Sequence, residues 1–67
     1  MAVREMVIIV VKQETGIHIN KRDVSVQNNT VYIKVKPLLK NEIFIHKMEI
    51  LDELKKNLKE KAPKNIL

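Results

Sequence analysis

Between Val24 and Lys36 apolar and polar residues alternate, and beyond Pro37 the apolar positions spread out to helical spacing. The alternation puts Val24, Val26, Val31, Ile33 and Val35 on one face of a hairpin and Ser25, Tyr32, Lys34 and Lys36 on the other. Asn28-Asn29, a pair tolerant of positive φ, supplies a two-residue turn. Gln27 is then predicted to face Thr30, Val26 to face Val31, Ser25 to face Tyr32 and Val24 to face Ile33. A slip of one residue would turn these valines and isoleucines to water, so pattern and turn specify the same pairing. The predicted strands span 23–27 and 30–36.

Pro37 lacks an amide hydrogen and has its φ already set, which ends the second strand and suits the first turn of a helix predicted over 38–61. At 100° per residue, Leu39, Ile43, Phe44, Met48, Ile50, Leu51, Leu54 and Leu58 form a broad apolar stripe, with Glu42, Glu49, Glu53 and Glu60 almost opposite. Lys40, Lys47 and Lys55 interrupt that stripe, where their stems can cover apolar surface while the ammonium groups reach an edge. Leu38 and Ile45 fall outside it and are candidate exposed anchors. Ala62-Pro63 closes the helix, and Ile66-Leu67 has the composition to begin another strand.

Upstream, Met6 to Val11 is an uninterrupted β-branched and apolar run that suits a buried strand as well as a helix. The helical reading over 2–15 is preferred. Val3, Val7, Val10 and Val11 recur at helical spacing between polar flanks, and Gly16 stands where a left-handed cap would stop a helix. Six apolar residues in a row exceed one stripe, so such a helix should be buried on more than one side, which suggests a partner or a second copy. Ile17-His18-Ile19 then gives way to a polar connection, Asn20 to Asp23. No internal repeat or low-complexity segment is read. The expected fold is α+β in the order α-β-β-α, one small domain over 1–67, with the long C-terminal helix laid across the apolar face of the hairpin.

Composition adds constraints. A chain of 67 residues without cysteine has neither a disulfide framework nor a thiolate metal site, which leaves helix-on-sheet packing, self-association or a partner surface to support its small core, with self-association or a partner preferred. The same absence, with no cleavable leader pattern, gives a cytoplasmic expectation. The net charge of +5 is spread along the chain, so any electropositive surface must be assembled by folding. The longest apolar run has six residues, against roughly 20 for a bilayer span, and the acidic polar face of the second helix does not suit anionic lipid. No membrane partner is expected.

Catalysis finds little purchase. His18 and His46 are the only imidazoles, no cysteine nucleophile exists, and Ser25 lacks a Gly-x-Ser-x-Gly turn. Gly16 is the only glycine, which excludes a Gly-rich phosphate cradle. The acidic residues of the second helix read as a hydrated face rather than as metal ligands, with pairs such as Asp52 to Lys56. Neither enzyme activity, a cofactor nor a metal is expected.

The constellation with binding chemistry is Tyr32, Lys34 and Lys36 on the open face of the sheet, joined by Lys21 and Arg22 from the preceding loop. An aromatic ring can stack on a base while ammonium groups neutralise phosphates. Lys40 and Lys47 would extend the positive edge. The expected function is a noncatalytic module that binds DNA or RNA. A solvated strand face whose lysines discourage edge pairing explains the same residues without a ligand. The alternative function is a protein-interaction or homo-oligomeric assembly module, using the Met6 to Val11 run with Leu38, Ile45, Ile66 and Leu67.

The run Thr30-Val-Tyr-Ile-Lys-Val-Lys-Pro-Leu-Leu-Lys-Asn-Glu-Ile, followed by Lys47-Met-Glu-Ile-Leu-Asp-Glu-Leu, resembles the KH-like domain of DciA-type bacterial replicative-helicase loaders and their uncharacterised relatives. The likeness covers roughly residues 17–58. It implies a KH-like α-β-β-α core, affinity for DNA, and contact with a helicase or another nucleic-acid machine. Leu38 and Leu39 stand where that group often has an aromatic residue, and the chain stops near Ile66, where the group adds a further strand. The Gly-x-x-Gly loop of classical KH domains is also missing, so the classical groove is not carried over.

Overall fold

The computed structural model describes residues 3–67. Its order is α1 (Val3–Thr15), a 3-10 turn (Lys21–Asp23), β1 (Val24–Gln27), β2 (Thr30–Ile33), α2 (Pro37–Ile45), α3 (Lys47–Leu58), a second 3-10 turn (Lys59–Lys61) and β3 (Asn65–Ile66). The fold is α+β, and its helix-strand-strand-helix order is compatible with a KH-like domain.

The hairpin has the register that alternation and turn prescribe, with Val24 opposite Ile33, Ser25 opposite Tyr32, Val26 opposite Val31 and Gln27 opposite Thr30. Asn28 and Asn29 take φ of 51° and 64°, the left-handed values that a two-residue turn between right-twisted strands requires. Both strands are shorter than expected. Asp23 belongs to the 3-10 turn, and β2 stops at Ile33 because its neighbours run out. The Lys34 amide still donates to the Asp23 carbonyl at 2.8 Å, but residues 35 and 36 lie beyond the paired length.

A third strand completes the sheet in the order β1-β2-β3, with β3 parallel to β2. It is held by hydrogen bonds that the Leu67 amide donates to the Val31 carbonyl and the Ile33 amide donates to the Leu67 carbonyl, at 2.7 and 3.0 Å. The composition of Ile66-Leu67 anticipates such a strand, but it is Asn65 and Ile66 that form it, and Ile66, read above as part of an assembly surface, is wholly buried.

α1 ends as its glycine dictates. Gly16 has φ of 76° and its amide donates to the Lys12 carbonyl at 2.8 Å, while the Thr15 hydroxyl donates to the Val11 carbonyl at 2.6 Å. Val7, Val10 and Val11 are buried on one side, and Val3, Met6 and Ile8 pack around the same core. The run is covered on several sides, as its length requires, but by the chain's own elements. α1 packs on β1, along α3 and against α2, while Ile9 stays 41% exposed on its outer side. The expected start at residue 2 lies outside the described residues.

The C-terminal helix departs most from expectation. It is two helices, because residue 46 leaves the helical path: His46 has φ −100° and ψ 17°, and its amide bonds back to Ile43 at 3.1 Å in a tightened last turn. α3 restarts from the His46 carbonyl, which accepts from Ile50 at 2.9 Å. It ends at Leu58 because Lys59 turns to φ 54°, three residues short of the expected end at 61. The cover of the sheet is shared, with α1 over β1 and α3 reaching β3, rather than supplied by one rod. The core joins Val7, Val10, Val11, Ile19, Val24, Val31, Ile33, Ile43, Ile50, Leu54 and Ile66. Each such side chain contributes roughly 1.5–3 kcal/mol relative to full exposure.

Candidate nucleic-acid interface

Strand parity generates the open face. With Val24, Val31, Ile33 and Ile66 committed to the core, the opposite positions on β1 and β2, Ser25, Gln27, Thr30 and Tyr32, turn away from it, and Lys34 follows where β2 ends. Directly paired residues share a face, so Asn65 joins Thr30 on the same side. Tyr32 is 41% exposed at the middle of this surface, and Lys34 is exposed two residues on. Neither side chain lies beneath a helix. The paired strand positions of this face carry no acidic side chain, but Asp23, whose carbonyl accepts from the Lys34 amide at 2.8 Å, stands across from Lys34 at the end of the pairing and offsets part of the lysine's charge.

The remaining candidate residues do not all gather there. Lys36 is exposed at the end of the extended segment, immediately before Pro37, and Arg22 is exposed in the 3-10 turn. Lys21 reaches the other way: its Nζ lies 3.5 Å from Glu5 Oε1 on α1, and it lines a shallow depression with Val3, Arg4 and Val26. Val26 belongs to the core-facing set, which puts Lys21 on the helix side of the sheet. Lys40 and Lys47 stand on α2 and α3, each with Nζ 5.8 Å from the centre of the Phe44 ring. They form a cation–π cluster with Phe44, not an extension of the strand face. The geometry brings Tyr32 and Lys34 together, leaves Lys36 and Arg22 at the margins, and separates Lys21, Lys40 and Lys47.

Sequence reasoning misses two features. One is an open cleft of about 570 Å³ between the end of α3 and the return to β3, lined in part by Lys55, Lys59, Lys64, Asp52 and Glu60. From sequence its basic residues are only helix surface or tail, because the positive φ at Lys59 that folds the tail back carries no glycine to announce it. The other is a seven-residue recurrence. Leu38-Leu39-Lys40-Asn41-Glu42-Ile43-Phe44 is followed by Ile45-His46-Lys47-Met48-Glu49-Ile50-Leu51, with Lys, Glu and Ile repeated in register.

The acidic residues behave as a solvated face. Glu53 pairs with Lys56 at 3.6 Å, in place of the expected Asp52 to Lys56 pair, and Glu49 Oε2 lies 2.9 Å from His46 Nδ1. Among the described residues no group of three or more acidic or imidazole side chains is placed to hold a metal ion. No helix among them is long and apolar enough to cross a membrane. Compared with protein-family models, curated proteins and solved structures, the chain matches none.

Proposed function

We propose that this domain is a noncatalytic nucleic-acid-associated binding module that presents the open face of its sheet to DNA or RNA. The observation that carries the reading is the coincidence of Tyr32 and Lys34, exposed side by side on a sheet surface that no helix covers. Tyr32 offers a ring on which an unpaired base can stack, and Lys34, with Lys36 and Arg22 at the margins, neutralises neighbouring phosphates. Ser25, Gln27, Thr30 and Asn65 supply hydrogen-bonding groups around them. Lys21, Lys40 and Lys47 act at most through the long-range field, because they face other surfaces. The resemblance to DciA-type domains supports the same reading and adds a helicase or another nucleic-acid machine as protein partner.

Titrating a fluorescent single-stranded oligonucleotide at several salt concentrations tests the proposal. Binding should weaken steeply with salt, and Lys34→Ala with Lys36→Ala should lower the slope of log K against log salt by about 1 for each phosphate no longer neutralised. Tyr32→Ala should cost about 1–3 kcal/mol with the slope unchanged. Absence of binding at low salt, or affinity indifferent to all three substitutions, contradicts it.

A further inference from the structure

α2 and α3 sort their charges onto two sides. On α3, Lys47, Leu51 and Lys55 recur at every fourth residue, and Lys59 follows where the helix ends. Glu49 and Glu53 stand two residues away from them, a little over half a turn round the helix, and are engaged there with His46 and Lys56. The break at His46 does not interrupt the basic side, because Lys40 of α2 and Lys47 of α3 both bring Nζ to 5.8 Å from the centre of the Phe44 ring. At the other end Lys55 and Lys59 share the rim of the cleft of about 570 Å³ with Lys64, around an apolar floor of Leu51, Ala62 and Pro63. Five lysines therefore run from α2 to the tail, with Phe44 and Leu51 between them. Among the described residues none of the five forms an ion pair.

A nucleic-acid backbone and an acidic polypeptide both complement such a track in charge, and two details separate them. Phe44 is 39% exposed, but its ring is already flanked by two ammonium groups, whereas a base stacks on a clear aromatic face. The cleft also includes Asp52 and Glu60, which repel a backbone carrying a phosphate at every nucleotide. A polypeptide can set an apolar or basic side chain beside them and use the apolar floor, which phosphates cannot. A second copy of this chain, with its net charge of +5, is the wrong sign for the track.

We propose that this track docks an acidic segment of another protein, which seats an apolar side chain on Leu51, Ala62 and Pro63 and brings its carboxylates to Lys55, Lys59 and Lys64, then to Lys47 and Lys40 farther along. The backbone supports the arrangement. Lys59 has φ of 54°, uncommon for a residue with a Cβ, and that turn sends the tail back past α3 so that Lys64 reaches the cleft while its amide bonds to the Asn29 carbonyl at 2.7 Å. Tyr32 and Lys34 lie on the uncovered sheet face, so docking is separate from nucleic-acid binding.

Fluorescence anisotropy of the whole chain with three labelled peptides tests the proposal: one alternating pairs of Glu with single Leu residues, one with Gln in place of every Glu, and one of Glu alone. The first should bind, less tightly as salt rises, and the other two should bind at least ~10-fold more weakly. Lys55→Glu with Lys64→Glu, exposed positions on α3 and on the tail, should weaken binding of the Glu-Leu peptide ~10-fold or more. Lys12→Glu with Lys56→Glu changes the net charge equally, away from the track, and should leave binding within ~2-fold. Circular dichroism verifies that both variants fold. No binding of the Glu-Leu peptide at low salt, equally tight binding of either other peptide, or a loss no larger at Lys55 and Lys64 than in the control variant overturns the inference. So does a single-stranded oligonucleotide whose affinity falls as much as the peptide's with Lys55→Glu and Lys64→Glu, which would assign the track to nucleic acid.

Discussion

α1 and the α2–α3 pair are both rich in apolar residues, yet they treat them differently. α1 has six apolar residues in succession and turns most of them inward, because β1, α2 and α3 surround it. α2 has nearly as apolar a sequence and buries only Ile43, because it lies at the rim with one side free. Apolar density along a chain therefore does not say whether a partner is needed. What decides is how many of the chain's own elements reach that segment.

The sharpest way to break this comparison is to truncate side chains on the two sides of the same helices. Ile50→Ala removes a side chain from the shared core and should lower the unfolding free energy by about 2–5 kcal/mol in urea denaturation. Ile45→Ala, at a position 70% exposed, should change the stability of the monomer by no more than about 0.5 kcal/mol. Equal losses would mean that α2 is covered on both sides within one chain.

A smaller effect contrasts the helix ends. Gly16 and Lys59 both close a helix with positive φ, at 76° and 54°, and each amide bonds back four residues. Glycine adopts such angles freely, whereas lysine does so with its Cβ crowded against the backbone. Lys59→Gly should raise the unfolding free energy by about 1 kcal/mol, and Gly16→Ala should lower it by a similar amount, although open space surrounds the Gly16 position. Thermal unfolding of the two variants should shift in opposite directions.

The hairpin is legible in the sequence because three independent signals agree: the alternation, the Asn28-Asn29 turn and the single register that buries the apolar set. α1 is legible through Gly16 once helical spacing is preferred to a β-branched run. The break at His46 is not, since neither proline nor glycine marks it and the seven-residue recurrence carries the apolar pattern smoothly through. β3 is too short to show a period, and its pairing depends on a long-range return that only the folded tail supplies. On the candidate interface, parity is enough to place Tyr32 and Lys34 on an open face. The side taken by Lys21 depends on how the 3-10 turn directs it towards Glu5, and that of Lys40 and Lys47 on where Phe44 lies, neither of which is a property of spacing.

Two uncovered surfaces, the polar sheet face with Tyr32 and Lys34 and the apolar side of α2 with Leu38 and Ile45, thus belong to different elements of the chain. Amide chemical shifts of the isotopically labelled chain, followed during titration with a single-stranded oligonucleotide, distinguish them residue by residue. The largest changes are expected at Ser25, Tyr32 and Lys34, with Leu38, Ile45 and Met48 unmoved. Shifts concentrated at Leu38, Ile45 and Met48, with the strand amides silent, would contradict this division.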